Sequence, residues 1–471
     1  MAIVKNFNVT TATDVERKQV QVQQEWFPFR NHIKAQNSNN PNITQEGQIA
    51  KKVFEILFYL HLFLIAIFAI FLTIYGLVTS SHFHPIKWYL PLLTSTGCAG
   101  IVGFTWQWIT AKNPAMAIRA AFWLSPLLTA AMGVIFVYIE SSVSLAAGVV
   151  ALVSALIQSL YGCWVIPRFE YAAKILSVSM TDPPAKGKMV ALSSILIGVL
   201  YSCILISGIL GARAIENRTK FAFLFILVIL LSLGWTMQFL KNVVLITISR
   251  VKYMDLHGAD GVDMDTRTAL RITVQHLSGS VSIGSILVPF ISLFRGFARS
   301  MRLIGGGVDE FMFSCLSCYV WIASRLVNCG NRWGFVYVGV YNAGFVEASS
   351  NTWEMFKRVG LEQLIDSDLT GSFCFLSGVA GGAISSLVSG IWSIVIYKSY
   401  ATEISIYAFL IGYFMFQLAM AWIQACVSAY YVSYAENPES TQFDYAIRVR
   451  LVQLQRSQST ATEGSKIQQE R

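Results

Sequence analysis

The chain has 471 residues, of which 55% are hydrophobic and 13% charged, with 35 Lys and Arg against 26 Asp and Glu for a net charge of +9. Soluble domains carry about 25% charged residues, and a chain so poor in them cannot clothe a water-facing surface. A cytosolic enzyme, a secreted disulfide scaffold and a disordered protein are excluded together, and the basic excess fits cytoplasmic loops of a membrane protein better than nucleic-acid binding.

Residues 1–52 are polar and rich in Gln and Asn, with neither the apolar h-region nor the small-residue cleavage site of a signal peptide. They are read as a cytoplasmic tail. A helix crosses the hydrocarbon core with about 20 apolar residues, and such runs fall near 53–79, 88–110, 115–139, 143–165, 189–212, 220–248, 273–294, 372–397 and 404–433. Between Arg295 and Thr370 the apolar stretches Phe311–Tyr319 and Phe335–Phe345 are each too short to span. Reading 318–345 as one broken span brings the total to ten; a re-entrant or interfacial segment is the alternative. The expected fold is all-α, a polytopic helical membrane protein with about ten transmembrane helices in a transporter domain over 53–433, followed by a second polar cytoplasmic tail at 434–471.

Loop charge sets the orientation. Arg168, Lys174, Lys186 and Lys188 follow the fourth span, and Arg250, Lys252, Arg267 and Arg271 follow the sixth. Both loops face the cytoplasm by the positive-inside rule, which places both termini there too. Arg295, Arg299 and Arg302 follow the seventh span, where simple alternation puts them outside, so that segment departs from a simple crossing or from the rule.

The chain lacks HExxH, GxSxG and Walker signatures, and Gly305–Gly307 has no strand before it, so neither an enzyme nor an ATP-driven pump is expected. The acids Asp255, Asp260, Asp263 and Asp265 lack the EF-hand spacing and read as a solvated loop. Cys315 and Cys318 form a lone CxxC without the second pair of a structural zinc site; with Cys329 they are candidates for acylation or for packing. No metal or cofactor is expected.

Polar groups inside spans say more, because each costs free energy unless it is paired or used. Trp235, Gln238 and Asn242 share a helical face, read either as a ligand-facing stripe or as interhelical hydrogen bonding with Lys241 snorkelling to the interface. His276, Ser278–Ser280, Gly284 and Pro289 weaken the seventh span, and Thr94–Gly97 with Gly100 and Gly103 do so in the second, as paired broken helices of a five-plus-five repeat would. Gly378, Gly382, Ser386 and Gly390 recur every four residues and form a close-packing ridge. Trp106, Tyr161, Trp164, Tyr201, Trp235 and Tyr341 fall inside spans where central carboxylates are absent, Glu55 and Glu140 lying near span ends. A permanent cation would then be held by aromatic faces, each contact contributing about 0.5–2 kcal/mol.

The run Trp235-Thr236-Met237-Gln238-Phe239-Leu240-Lys241-Asn242-Val243 resembles the W-T-x-x-V-x-x-N-V helix of the choline transporter-like family, the solute carrier group that includes fungal pH-nine-sensitive proteins. Asp309–Cys315, Gly330–Val336 and Tyr341-Asn342-Ala343-Gly344-Phe345 with Ala348-Ser349 follow in family order, and Asp366-Ser367-Asp368-Leu369-Thr370 before a glycine-rich span resembles the plant-type branch. Phe239 stands where the family has valine, Asn342 where it has the first glycine of its Y-G signature, and Glu347 adds an acid. The resemblance implies a ten-span transporter of choline, or of ethanolamine in some members, with the plasma membrane as default location and the Golgi or another endomembrane as alternative. It implies Trp235 as first choice of cage wall, with Tyr341, Trp106, Tyr161 and Tyr201 as further substrate-binding candidates and Asn242 for the hydroxyl end. Its partners are then the organic cation and the lipid bilayer, with protein partners unknown and His276 or Glu347 as candidate proton carriers. The competing reading is a trafficking or scaffold protein of the same fold with little or no choline transport.

Acceptor sequons stand at Asn8, Asn42 and Asn217. With a cytoplasmic N-terminus Asn8 and Asn42 stay unmodified; a glycosidase-sensitive mass shift abolished by Asn42→Gln would reverse the orientation.

Overall fold

The computed structural model describes residues 41–79, 85–184, 186–215, 221–257, 264–304, 326–396, 398–438, 440 and 443–454, and every regular element among them is helical. The chain divides into Met1–Val53 and Phe54–Arg471. In the first unit the described residues, from Pro41, are helical and open α1 (Pro41–Thr79). The rest of α1 and all later elements belong to the second unit.

Local chemistry sets the helix ends. α2 (Pro85–Lys112) and α3 (Pro114–Ile139) both start on proline, whose missing N–H is one of the donors a helix leaves unpaired there. α3 stops at Glu140 in the left-handed region, φ 64°. α4 (Ser142–Val165) begins with reciprocal bonds, Ser144 N–H to Ser141 Oγ at 3.1 Å and Ser141 N–H to Ser144 Oγ at 2.9 Å. A short 3-10 turn leads into α5 (Phe169–Ser179), followed by α6 (Gly187–Ala214) and α7 (Ala222–Leu256).

Seven of the helices among the described residues are long and apolar enough to cross a membrane, or eight if one bent pair counts as a span. Their outward faces carry Phe63, Leu156, Leu200 and Leu231, each more than 60% exposed, the surface that lipid covers. The all-helical polytopic fold is as expected, with seven or eight of the expected ten or so spans counted among the described residues. α2 has the length, with 28 residues, but its Thr, Gly and Trp content keeps it out of the seven. The bent pair is α8 (Thr266–His276) and α9 (Ser278–Ile304), joined at 80°. The predicted weakness of that span thus falls at Leu277, and α9 runs on through Gly279, Gly284 and Pro289 and includes the positions of Arg295, Arg299 and Arg302. The second span is not interrupted either, because Thr94, Ser95 and Thr96 return their hydroxyls to the carbonyls of Leu90 and Leu92 and the helix continues. No pair of broken helices five spans apart results.

The described part of the stretch read as a broken tenth span or a re-entrant segment, 318–345, is interrupted: residues 326–329 are helical, 330–333 are not, and α10 (Gly334–Tyr341) is eight residues and about 12 Å long, against a hydrocarbon core of about 30 Å. α10 stops at Asn342, φ 54°; this is the position where the family pattern has glycine, and Asn is the side chain that tolerates the left-handed region best. α11 (Phe345–Val359) then turns Phe345, Ala348, Thr352, Trp353 and Phe356 inward and ends on Gly360, φ 72°. Glu347 lies in its first turn, where a negative charge suits the helix dipole. A short α12 (Glu362–Ser367) leads to α13 (Thr370–Ile396), and α14 (Ala401–Glu436) follows.

α14 is the axis, buried along almost its whole length and packed on by α2, α6, α7 and α13. The glycine ridge lets α13 approach closely: a methyl at Gly382 would lie 2.8 Å from the Phe409 carbonyl oxygen, and one at Gly390 2.6 Å from Ser405 Oγ. α3 and α4 pair outside α13, with Gly133 and Gly148 backbone to backbone. α6 starts level with Trp422 and Ile248, since a methyl at Gly187 would lie 2.9 Å from Trp422 Nε1. Beyond that level residues 423–436 of α14 extend about 20 Å more, wrapped by α5, α10, α11 and the returning chain, where Phe443 meets Tyr430 and Tyr434 edge-on at 5.4 Å.

Lys186 reaches Asp265 at 3.2 Å and Lys252 donates to the Thr181 and Asp182 carbonyls at 2.5 and 2.9 Å. The two basic loops therefore sit at one end of the bundle. Arg250 and Lys252 are buried helix residues there, not loop residues. The Gly305–Gly307 run, Cys315, Cys318, Asp309, Asp260, Asp263, Asn8 and Asn217, and the side chains of Asn42, Arg295, Arg299 and Arg302, lie outside the described residues.

Gly382→Leu is expected to cost about 1–3 kcal/mol by overpacking against α14, read as a lower thermal unfolding midpoint in detergent. Gly97→Ala, with nothing within 4 Å of the added methyl, is expected to be neutral or to stabilise by up to about 1 kcal/mol; equal effects of the two would disprove the packing argument.

Candidate functional site

Ser232, Trp235, Thr236 and Phe239 stand at i, i+3, i+4 and i+7 of α7, one stripe of the helix. That stripe meets Phe58 and His61, three residues apart on α1. Phe58 stacks on Phe239 with centroids 3.9 Å apart and meets Trp235 edge-on at 5.5 Å, while the His61 ring lies over Trp235 at 4.7 Å. The family's valine at position 239 is thus replaced by half of an aromatic pair. A chain of hydrogen bonds runs behind the rings: His61 Nε2 to Ser232 Oγ at 2.9 Å, Ser232 Oγ to Tyr201 OH at 2.6 Å, and Thr236 Oγ1 to Tyr201 OH at 3.0 Å. Three helices, α1, α6 and α7, are joined there. Trp235 Nε1 and His61 Nδ1 are buried without a hydrogen-bond partner among the described residues. An unmade bond of this kind costs about 1–3 kcal/mol, and it marks where a polar guest would be welcome.

A second group surrounds the first half of α13. Trp106 Nε1 donates to Ser377 Oγ at 3.1 Å, Tyr161 OH meets Ser372 Oγ at 2.7 Å, and Gln417 Nε2 donates to the Cys374 carbonyl at 3.1 Å. Lys241 donates to Gln417 Oε1 at 2.8 Å; its ammonium is held by α14 instead of snorkelling. Asn242 donates to Ser285 Oγ of α9 at 2.9 Å. Asp368 accepts from Thr370 N and Oγ1 at 3.2 and 2.8 Å, capping α13, and forms an ion pair with Arg332.

The third group lies at the basic end. Tyr341 OH donates to Glu436 Oε1 at 2.6 Å, Tyr253 OH donates to Glu436 Oε2, and the two phenols are 3.3 Å apart. The His257 ring stacks on Tyr253 at 4.1 Å with Nε2 3.6 Å from Glu436 Oε2. Burial holds this imidazole below its ordinary pKa. Arg250 donates to Asn342 Oδ1 at 3.0 Å.

The six candidate residues therefore fall into three groups and not one cage. Trp235 and Tyr201 come together through Ser232 and Thr236. Trp106, Tyr161 and Asn242 each hold a separate helix contact, and Tyr341 joins the basic-end cluster. Sequence reasoning missed Phe58, His61, Tyr253 and Glu436. His61 was detectable as an ionisable side chain within an apolar run. Glu436 was assigned to the polar tail, because only the packing around α14 extends that helix so far. Among the described residues no group of three His, Cys, Asp or Glu side chains is arranged to hold a metal ion.

Residues 127–439, about two thirds of the chain, match the family described as plasma-membrane choline transporter. The chain is 25% identical to Protein pns1 of Aspergillus fumigatus over 235 residues, which is 47% of this chain and 44% of that protein. It is 20% identical to Protein PNS1 of Neurospora crassa over 386 residues, 76% and 69% of the two chains, and 22% identical to a CTL-like protein of Dictyostelium discoideum over 217 residues, 44% and 38%. The chain thus covers less than half the length of several of the curated relatives it matches.

The Arg332–Asp368 pair lies inside the matched stretch. Arg332→Met leaves a carboxylate whose side chain is 2% exposed without its counter-charge, at an expected cost of about 3–5 kcal/mol. The thermal midpoint should fall in the single variant and recover partly in Arg332→Met/Asp368→Asn; a single variant as stable as wild type would remove the pair's structural role.

Proposed function

The chain belongs to the plasma-membrane choline transporter family, a family of transporters and not of enzymes, and from that premise we propose that it carries choline, or a related small organic cation such as ethanolamine, across the membrane by facilitated transport. The observation that carries this reading is the Trp235 group: a half-buried indole flanked by Phe58 and His61, beside two buried nitrogens that lack partners. A trimethylammonium head has no hydrogen-bond donor, so its natural partners are ring faces, at about 0.5–2 kcal/mol per contact. The hydroxyl of choline has what the head lacks and suits the Trp235 N–H and the His61 nitrogen. Tyr201 completes this site through Ser232. Trp106, Tyr161 and Asn242 hold the surrounding helices, and Tyr341 acts at the basic end.

Alternating exposure of the site moves the cation down its electrochemical gradient. An inside-negative potential supplies about 2.3 kcal/mol per charge per 100 mV, enough for accumulation without a coupled ion. The basic end is taken as cytoplasmic, with 1–52 and 434–471 on that side, and the plasma membrane as the site of action. The Asp366–Thr370 motif supports the plant-type branch.

Proteoliposomes containing the purified full chain should take up radiolabelled choline saturably and faster with an inside-negative potential. Trp235→Ala should raise the half-saturating concentration about 2- to 30-fold, the range that one cation-π contact predicts. No uptake by folded wild-type protein would shift the reading to a non-transporting trafficking role for the fold.

A further inference from the structure

The Trp235 group contains no carboxylate, and the strongest cation-attracting chemistry in the described chain lies elsewhere, at Glu436. Its side chain is 10% exposed, and its hydrogen-bond partners are the phenols of Tyr253 and Tyr341. No Lys or Arg lies within ion-pair distance of it among the described residues. Arg250, on the same helix as Tyr253 and 2% exposed, is turned to the side-chain oxygen of Asn342. His257 is close, its Nε2 3.6 Å from Glu436 Oε2, but it pairs with the acid as a cation only when protonated, and burial lowers its pKa. The two phenols bring aromatic side chains to the acid, and each ring is itself paired, His257 stacked on Tyr253 at 4.1 Å and Tyr337 against Tyr341 with centroids 4.2 Å apart. A buried carboxylate with aromatic rings beside it and no Lys or Arg partner among the described residues is chemistry that can hold a methylated ammonium.

We propose that Glu436 and the tyrosines around it form a second organic-cation station at the basic end of the bundle, closed here by the two phenols that occupy the carboxylate. The proposal rests on the reading of the chain as an organic-cation carrier. Tyr341 ends the eight-residue α10, and Asn342 behind it is in the left-handed conformation. α10 is thus a short element, ending in a turn, able to withdraw one phenol while α7 and α14 hold Tyr253 and Glu436. The arriving ammonium replaces the phenolic hydrogen bonds with charge attraction and ring contacts. A cation leaving the Trp235 group along α7 then meets a partner before it reaches water, and hydroxyl donors shield the carboxylate between passages.

The test compares right-side-out and inside-out membrane vesicles from cells expressing the full chain, which sample entry from the two faces. Glu436→Gln should raise the half-saturating choline concentration about tenfold, near 1.4 kcal/mol, for entry from the cytoplasmic face, and leave the outer face within about twofold. Tyr341→Phe keeps the ring and removes only the competing hydroxyl, so it should match or lower the wild-type cytoplasmic value, whereas Tyr341→Leu should raise it. A purely structural cluster predicts no such difference, with loss of the hydroxyl as harmful as loss of the ring. Equal shifts at both faces, no shift in Glu436→Gln, or Tyr341→Phe behaving as Tyr341→Leu would overturn the station. If Glu436→Gln fails to reach the membrane, the two Tyr341 variants decide alone. If wild type moves no choline in either vesicle, the transport reading fails by itself. The station is then judged by tetramethylammonium binding to the purified chain: binding that is lost in Glu436→Gln and kept in Trp235→Ala sustains it, and absent or Glu436-independent binding overturns it.

Discussion

The contact between α13 and α14 is the constraint on which the other arrangements depend. Lipid tails are as apolar as the side chains they would compete with, so helices in a membrane associate through close packing and not through expulsion of water. Gly378, Gly382 and Gly390 each have α14 where a methyl would stand, and Gly412 of α14 returns the favour toward Ser385. This intimacy makes α14 an axis surrounded on all sides. The long helix can then carry Gln417 into the bundle and Glu436 to its basic end, because neither has to face lipid.

Polar groups along this axis and along α7 are answered mainly from other helices. Lys241 meets Gln417, Gln417 meets the Cys374 carbonyl, Asn242 meets Ser285, and Trp106 meets Ser377. Each bond satisfies a group that hydrocarbon would penalise. Other buried polar atoms have no hydrogen-bond partner among the described residues, and two of these, on Trp235 and His61, belong to the same stacked pair.

The departures from the family pattern have local physical reasons. Asn342 occupies a left-handed position that glycine or asparagine can fill, Phe239 finds a ring to stack on, and Glu347 lies in the first turn of a helix. Of the three, only Phe239 lies on the Trp235 stripe, where its ring holds Phe58 beside the indole.

Much of the fold was legible in the sequence. A transmembrane helix satisfies its backbone within a single segment, so apolar run length located the spans and the four-residue spacing of Gly378, Gly382 and Gly390 located the close contact. Where composition was mixed the reading held in part: the break expected in the seventh span falls at Leu277, whereas α2 runs on unbroken because its hydroxyls return to its own carbonyls. The site was legible only in pieces. Trp235 and Tyr201 stood out as aromatics within spans, but His61 reaches Ser232 across 171 residues and Tyr253 reaches Glu436 across 183. The sequence by itself determined which segments are helices and which side chains share a face, because those follow from bonds between near neighbours. Which faces meet, and so which nitrogen is left without a partner among the described residues and which phenols reach a buried carboxylate, was decided only when distant helices packed together.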